Sequence, residues 1–186
     1  MTAKKHIRVG QLTALFSFIF GTTIFLIYYF TSKLTIISYT YGLTLFTLLF
    51  NIGILTAIIV KSSSDKEHRK NLMITSGVIL LNIPIMIVYF WFVIILLGTM
   101  RITLTNKMDN DITDISLVGC ENKRIKKLKA GQSKTVWISI KKECSIYVEY
   151  VTKGMRKGEI VYDYVTPGMG QLVEHELDGE NRRIVL

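Results

Sequence analysis

Three long stretches without charge dominate the first hundred residues and leave few folds open to this chain. No charged side chain occurs between Arg8 and Lys33, and the apolar block inside that interval runs from Leu12 to Phe30. At about 1.5 Å per helical residue this is enough to cross a hydrocarbon core of about 30 Å. A second block spans Leu34 to Val60, and a third runs from Leu72 to about Gly98 or Met100. We therefore expect three transmembrane helices over about residues 12–30, 36–60 and 72–98, forming a membrane domain of residues 1–100. The first is read as a retained signal anchor. Its end, Tyr28-Tyr29-Phe30, lacks the small residues of a cleavage site.

Charge sets the expected orientation. The chain carries a formal +9, but residues 1–100 hold eight Lys or Arg against two acids and residues 101–186 hold fifteen against twelve, so +6 of the excess belongs to the apolar half. Lys4, Lys5 and Arg8 precede the first block, and Lys61, Lys66, Arg69 and Lys70 lie between the second and third. The connection between the first two has only Lys33. The positive-inside rule places the N-terminus and the second loop in the cytoplasm and residues 101–186 outside it, in a plasma (inner) membrane. Nucleic acid is not an expected partner. Tyr28, Tyr29, Tyr39, Tyr41, Tyr89 and Trp91 fall near the expected outer ends of the spans, where amphipathic rings favour the headgroup boundary.

No ionisable group enters a span, so the intramembrane polar residues read as helix glue. Asn51 and Asn82 lie at matching depth, roughly 15 Å from the cytoplasmic surface. We expect them to hydrogen-bond to one another or to a carbonyl near Leu80 left free by Pro84. Gly53 and Ala57, four apart, suggest close helix packing.

From Arg101 the pattern changes to short β-branched runs separated by turn formers, which predicts an all-β domain over residues 101–186. The expected strands are 101–105, 112–118, 134–140, 145–151, 159–165 and 171–177, with Lys153 to Gly158 as a hairpin loop. Leu128-Lys129-Ala130-Gly131-Gln132-Ser133-Lys134-Thr135-Val136 resembles a turn of bacterial extracytoplasmic immunoglobulin-like modules. The resemblance implies an immunoglobulin-like sandwich with a binding role, in a protein of the bacterial inner membrane. Trp137 falls close to Cys144 and far from Cys120, so the antibody-type tryptophan–cysteine spacing is not reproduced.

Cys120 and Cys144, the only cysteines, are a disulfide candidate if this half faces an oxidising compartment. Lys123, Arg124, Lys126, Lys127 and Lys129 form the densest basic run, a possible binding patch for anionic headgroups that reads more simply as solvated surface. Glu174, Glu176 and Asp178 alternate on one face with Glu180 beyond, and His175 points the other way; a solvated edge is the simpler reading than a cation site. No phosphate cradle, zinc spacing or nucleophile elbow occurs, and no cofactor is expected. The expected function is a non-enzymatic, membrane-anchored accessory or recognition protein, contacting membrane lipids and an envelope protein partner. An immunity protein against a membrane- or envelope-acting toxin and a subunit of a transporter or membrane enzyme are the alternatives.

Overall fold

A computed structural model describes residues 2–179, which separate into two compact units, Met1–Val93 and Ile94–Leu186. The first is helical, and the last turn of its third helix, from Ile94, falls in the second unit. α1 covers Ala3–Thr31, α2 Leu34–Ser64 and α3 Arg69–Leu97, each long and apolar enough to cross a membrane. All three start before the expected spans, and α1 and α2 also end after them, because polar and basic residues at the ends continue the helices. α1 ends where Ser32 adopts a left-handed conformation, its N–H donating to the Tyr28 carbonyl at 2.8 Å. The turn into α3 is closed by Asp65, which accepts from the His68 amide at 3.2 Å and pairs with Lys61 at 3.4 Å. The His68 contacts hold the Asp65 carboxyl below its ordinary range.

These helices bury little against one another: of the most apolar window, 17% is buried in α1 and 6% in each of α2 and α3. Phe16, Phe46 and Phe90 are all exposed. Surfaces of that kind need an apolar environment. The helices pack closely at Gly10 of α1. A Cβ there would come within 2.5 Å of Ile58 Cδ1 and 2.6 Å of Thr75 Cγ2, so α1 touches both other helices at this point. Around it Ala3, Ala14, Ile58, Leu72 and Ile79 form a small buried cluster. The expected Gly53–Ala57 contact is not the packing site. Both residues are exposed, and a Cβ on Gly53 would meet nothing within 4 Å.

The second unit has seven strands: β1 Thr99–Asn106, β2 Ile112–Val118, β3 Lys123–Leu128, β4 Ser133–Ser139, β5 Cys144–Thr152, β6 Met155–Val165 and β7 Leu172–Leu177. They form two sheets, one ordered β4-β1-β7 and one ordered β3-β2-β5-β6. β1 pairs antiparallel with β4 and parallel with β7. Alternate residues of each sheet turn inward, with Met100, Ile102 and Leu104 from β1 meeting Ile112, Ile115, Leu117, Ile146 and Val148 from the other sheet in one fully buried core. The far corner is closed by buried Asn106, which donates to Asn110 and Leu128 carbonyls and accepts from the Met108 amide.

Two expectations are corrected. The hairpin between β5 and β6 needs only Lys153 and Gly154, both at positive φ (48° and 76°), so Met155 to Gly158 belong to strand β6. The right-handed twist of a β-ribbon favours such two-residue turns over the six-residue loop. β3 itself was not foreseen, because the basic run reads as surface. It is a strand whose Ile125 and Leu128, three apart, are both buried. Its partner β2 has the same spacing in Ile112 and Ile115, with Asp114 at φ 47° between them, and a register shift against β5 at the same place. The bulge returns both apolar residues to the core face.

Candidate functional site

Asn51 and Asn82 do reach other helices, but not each other. The Asn51 amide donates to Ser17 Oγ at 2.7 Å and to the Thr47 carbonyl at 2.7 Å, while the Asn82 amide donates to the Ala14 carbonyl at 3.1 Å. The bonds to Ser17 and Ala14 cross to α1, and the one to Thr47 stays within α2. Pro84 lies within continuous helix α3, and neither asparagine uses the carbonyl expected to be freed by it. Farther along, Thr22 and Tyr89 share a 2.8 Å hydrogen bond and Phe25 stacks on Tyr89 with centroids 4.8 Å apart, again joining α1 to α3. Tyr28 is buried as well, whereas Tyr39, Tyr41 and Trp91 are exposed, so the tyrosines divide between helix packing and the outer surface. Beside the asparagines is a cavity of about 130 Å³ lined by all three helices, among them Ser17, Thr47, Leu48, Asn51, Asn82 and Met86. Asn51 Oδ1 is buried there without a hydrogen-bond partner.

In an apolar medium, an amide bonded across helices contributes about 1 kcal/mol to association. Asn82→Leu, which removes the bond to Ala14, is expected to weaken the α1–α3 contact by about that much. Unfolding the full chain by steric trapping in bicelles would measure it, and an unchanged or raised stability would show the bond to be dispensable.

In the strand unit Cys120 and Cys144 are joined by a disulfide, with their Cα atoms 5.3 Å apart, connecting the end of β2 to the start of β5. The neighbouring Glu121 carboxylate binds Lys123 at 2.7 Å and the Ser139 amide at 2.9 Å, contacts that lower its pKa. The basic run is partly neutralised by ion pairs. It climbs the length of edge strand β3: Lys123 pairs with Glu121, Lys127 pairs with Asp111 at 2.6 Å, and Arg124, Lys126 and Lys129 are exposed between and beyond. The Lys127 contact in turn lowers the Asp111 pKa. Glu174 and Glu176 are exposed, Glu176 paired with Lys107 at 3.1 Å, and Glu180 lies outside the described residues. Among the described residues no three His, Cys, Asp or Glu side chains come together as metal ligands do.

The polar feature not anticipated is a buried network between the sheets. Glu159 of β6, 2% exposed, accepts a hydrogen bond from the Tyr150 hydroxyl and faces His175 Nε2 at 2.9 Å. Tyr150 and Glu159 belong to the four-stranded sheet and His175 to the other, so the carboxyl bridges the two layers. Burial first, and then the Glu159 bond, raises the Tyr150 pKa. The signal was available in part. Ile146, Val148 and Tyr150 share the inward face of β5, and His175 must oppose Glu174 and Glu176. An acid opposite Val148 is the element that needed the register.

These features define a chain of three apolar helices followed by a disulfide-linked, two-sheet β unit. No known family model matches it, and no curated protein is significantly similar. An NMR structure of a protein from Eubacterium rectale is similar at 17% identity and a TM-score of 0.35, over 45% of this chain and 82% of that one.

Proposed function

We propose that this chain is a non-enzymatic recognition protein anchored in a bacterial inner membrane, with an immunoglobulin-like domain outside the cytoplasm that binds a protein of the envelope. Insertion of the helices accounts for their exposed apolar surfaces, and the asymmetry of basic residues argues for a cytoplasmic N-terminus. The disulfide supports the same orientation, because such bonds persist in oxidising compartments. The observation that carries the binding role is β6. It is an edge of its sheet and eleven residues long, and it starts at an exposed Met155 beside the hairpin tip. An edge of that length, with no further strand paired to it among the described residues, is a template for a partner's strand, with Met155 as an apolar anchor.

A photo-crosslinking residue at position 155 of the full chain in cells tests this. An adduct with an envelope protein, lost when Val161 is replaced by proline, is the expected result. A second reading, a subunit of a transporter or membrane enzyme, draws on the cavity beside Asn51. It is supported if position 155 gives no adduct while exposed Phe46 of α2 crosslinks to a multi-span protein. Labelling of Cys120 and Cys144 after mild reduction, with an impermeant thiol reagent on intact cells, tests orientation. Labelling only after lysis would reverse it.

A further inference from the structure

The large apolar side chains exposed on the strand unit are unevenly placed. Among the described residues from Thr99 onward they are Val118, Trp137, Met155, Tyr164, Met169 and Leu172. Met155 is at the β5–β6 hairpin tip. The other five gather at the opposite end, where α3 enters. Val118 ends β2 beside the disulfide, and Tyr164 is next to Val165, the partner of Cys144. Trp137 and Leu172 flank Arg101, four residues beyond the last residue of α3. Met169 is in the loop between β6 and β7.

That end is tied to the helix by backbone hydrogen bonds. The Gly170 amide donates to the Leu97 carbonyl at 2.8 Å, the Ile140 amide to the Gly98 carbonyl at 2.8 Å, and the Arg101 amide to the Gln171 carbonyl at 2.8 Å. A Cβ on Gly170 would stand 2.0 Å from the Leu96 carbonyl oxygen, so only glycine lets this loop lie against the end of α3. The β6–β7 loop and the turn after β4 are thus held within one or two residues of the helix end. The turn presents Lys141 and Lys142, both exposed, and the Arg101 guanidinium lies 5.8 Å from the Trp137 ring centroid. Tyr164 donates its hydroxyl to Glu143 in the same turn, which raises the tyrosine pKa.

We infer that this end of the strand unit is a lipid-binding surface that rests on the bilayer holding α3, with Trp137, Tyr164, Met169 and Leu172 in the headgroup boundary and Lys141 and Lys142 on anionic headgroups. The inference rests on the proposed insertion of the helices. Continuity with α3 names the occupant, since whatever covers the last turn of that helix also meets loops bonded to it. Amphipathic rings and apolar side chains gain most at that boundary, and lysines near an anionic surface add to the attraction.

The chain has two tryptophans, Trp91 in α3 and Trp137 in β4, so two variants of the full protein separate the claims. Each is reconstituted in vesicles of phosphatidylcholine and phosphatidylglycerol. W91F, which retains Trp137, should lose about half of its emission when the lipid carries a nitroxide on the headgroup, and little when the acyl-chain terminus is brominated. W137F, which retains Trp91 six residues before the end of α3, should be quenched by chains brominated high on the acyl chain, just below the headgroups. Trp91 quenched with Trp137 untouched by either lipid overturns the lipid surface and leaves insertion standing. If neither is quenched, insertion itself fails. Adding K141E and K142E to W91F should reduce headgroup quenching more in phosphatidylglycerol-rich than in pure phosphatidylcholine vesicles; equal loss in both would remove the lysines from the contact.

Discussion

Glu159→Ala is expected to destabilise the strand unit by about 4 kcal/mol, because it strands two buried partners at once and each unsatisfied polar group costs about 1–3 kcal/mol. The Tyr150 hydroxyl and His175 Nε2 both lose their acceptor, and no solvent reaches Tyr150, which is fully buried. For a unit of this size the thermal midpoint should fall by roughly 20 °C. Heating the full chain in detergent, followed by near-ultraviolet circular dichroism, would measure it. Glu159→Gln keeps a carbonyl for Tyr150 and should lose less than half as much. A loss below about 1 kcal/mol for the alanine variant would mean that water replaces the carboxylate and that the two sheets do not depend on the bridge.

The same network has an alkaline limit. The folded-state pKa of Tyr150 lies above the ordinary 10.0. Its contribution is complete below pH 10, where the unfolded tyrosine is also neutral, and is lost as pH rises from there toward the folded value. Stability should therefore decline above pH 10.

The helical half was legible because an uncharged run of bilayer length has few alternatives, and its ends erred by more than two residues only where Ala3 to Gln11, Lys61 to Ser64 and Arg69 to Asn71 extend the helices. What one sequence conveys about a helix is axial height, at a fixed rise per residue. The height of Asn51 and Asn82 follows from that, but the direction in which each points around its axis depends on where α1 packs. Both face α1, so the expected asparagine pair is replaced by bonds to Ser17 and Ala14. For the same reason Gly53, spaced correctly from Ala57, faces outward, while Gly10, with no motif around it, is a point of close approach to both other helices.

In the strand half, period-two alternation located six strands and hid the seventh. Lys123 to Leu128 has four basic residues and two apolar ones at a spacing that belongs to neither a regular strand nor an exposed loop. Only the bulge at Asp114, a property of the pairing with β2 and β5, makes that spacing intelligible. Glu159 was missed on similar grounds: the acid becomes a bridge only when the register opposite Val148 and the parallel pairing of β1 with β7 bring His175 to it. Local pattern names the elements, and long-range register chooses which polar residues meet.

Removing the disulfide should be the second large perturbation, and its cause is distinct from that of Glu159. The bond closes a separation of 24 residues, which on the chain-entropy account is worth about 3.5 kcal/mol through restriction of the unfolded chain. The enclosed segment contains β3 and β4, one edge strand of each sheet, so closing it early keeps these two strands near β2 and β5. Cys120→Ser with Cys144→Ser should therefore lower the denaturant midpoint without altering the folded sheets, and the reduced wild-type chain should match the double variant. If reduction left the midpoint unchanged, the unfolded chain would already hold these ends together. If the double variant were much less stable than the reduced protein, the serines rather than the lost link would be responsible. The comparison with Glu159→Ala is informative because one change acts on the unfolded ensemble and the other on the folded core. The two sites do not touch, so their effects should add within about 0.5 kcal/mol. A combined variant that departs from additivity would mean that the disulfide end and the Tyr150–Glu159–His175 bridge unfold as separate pieces.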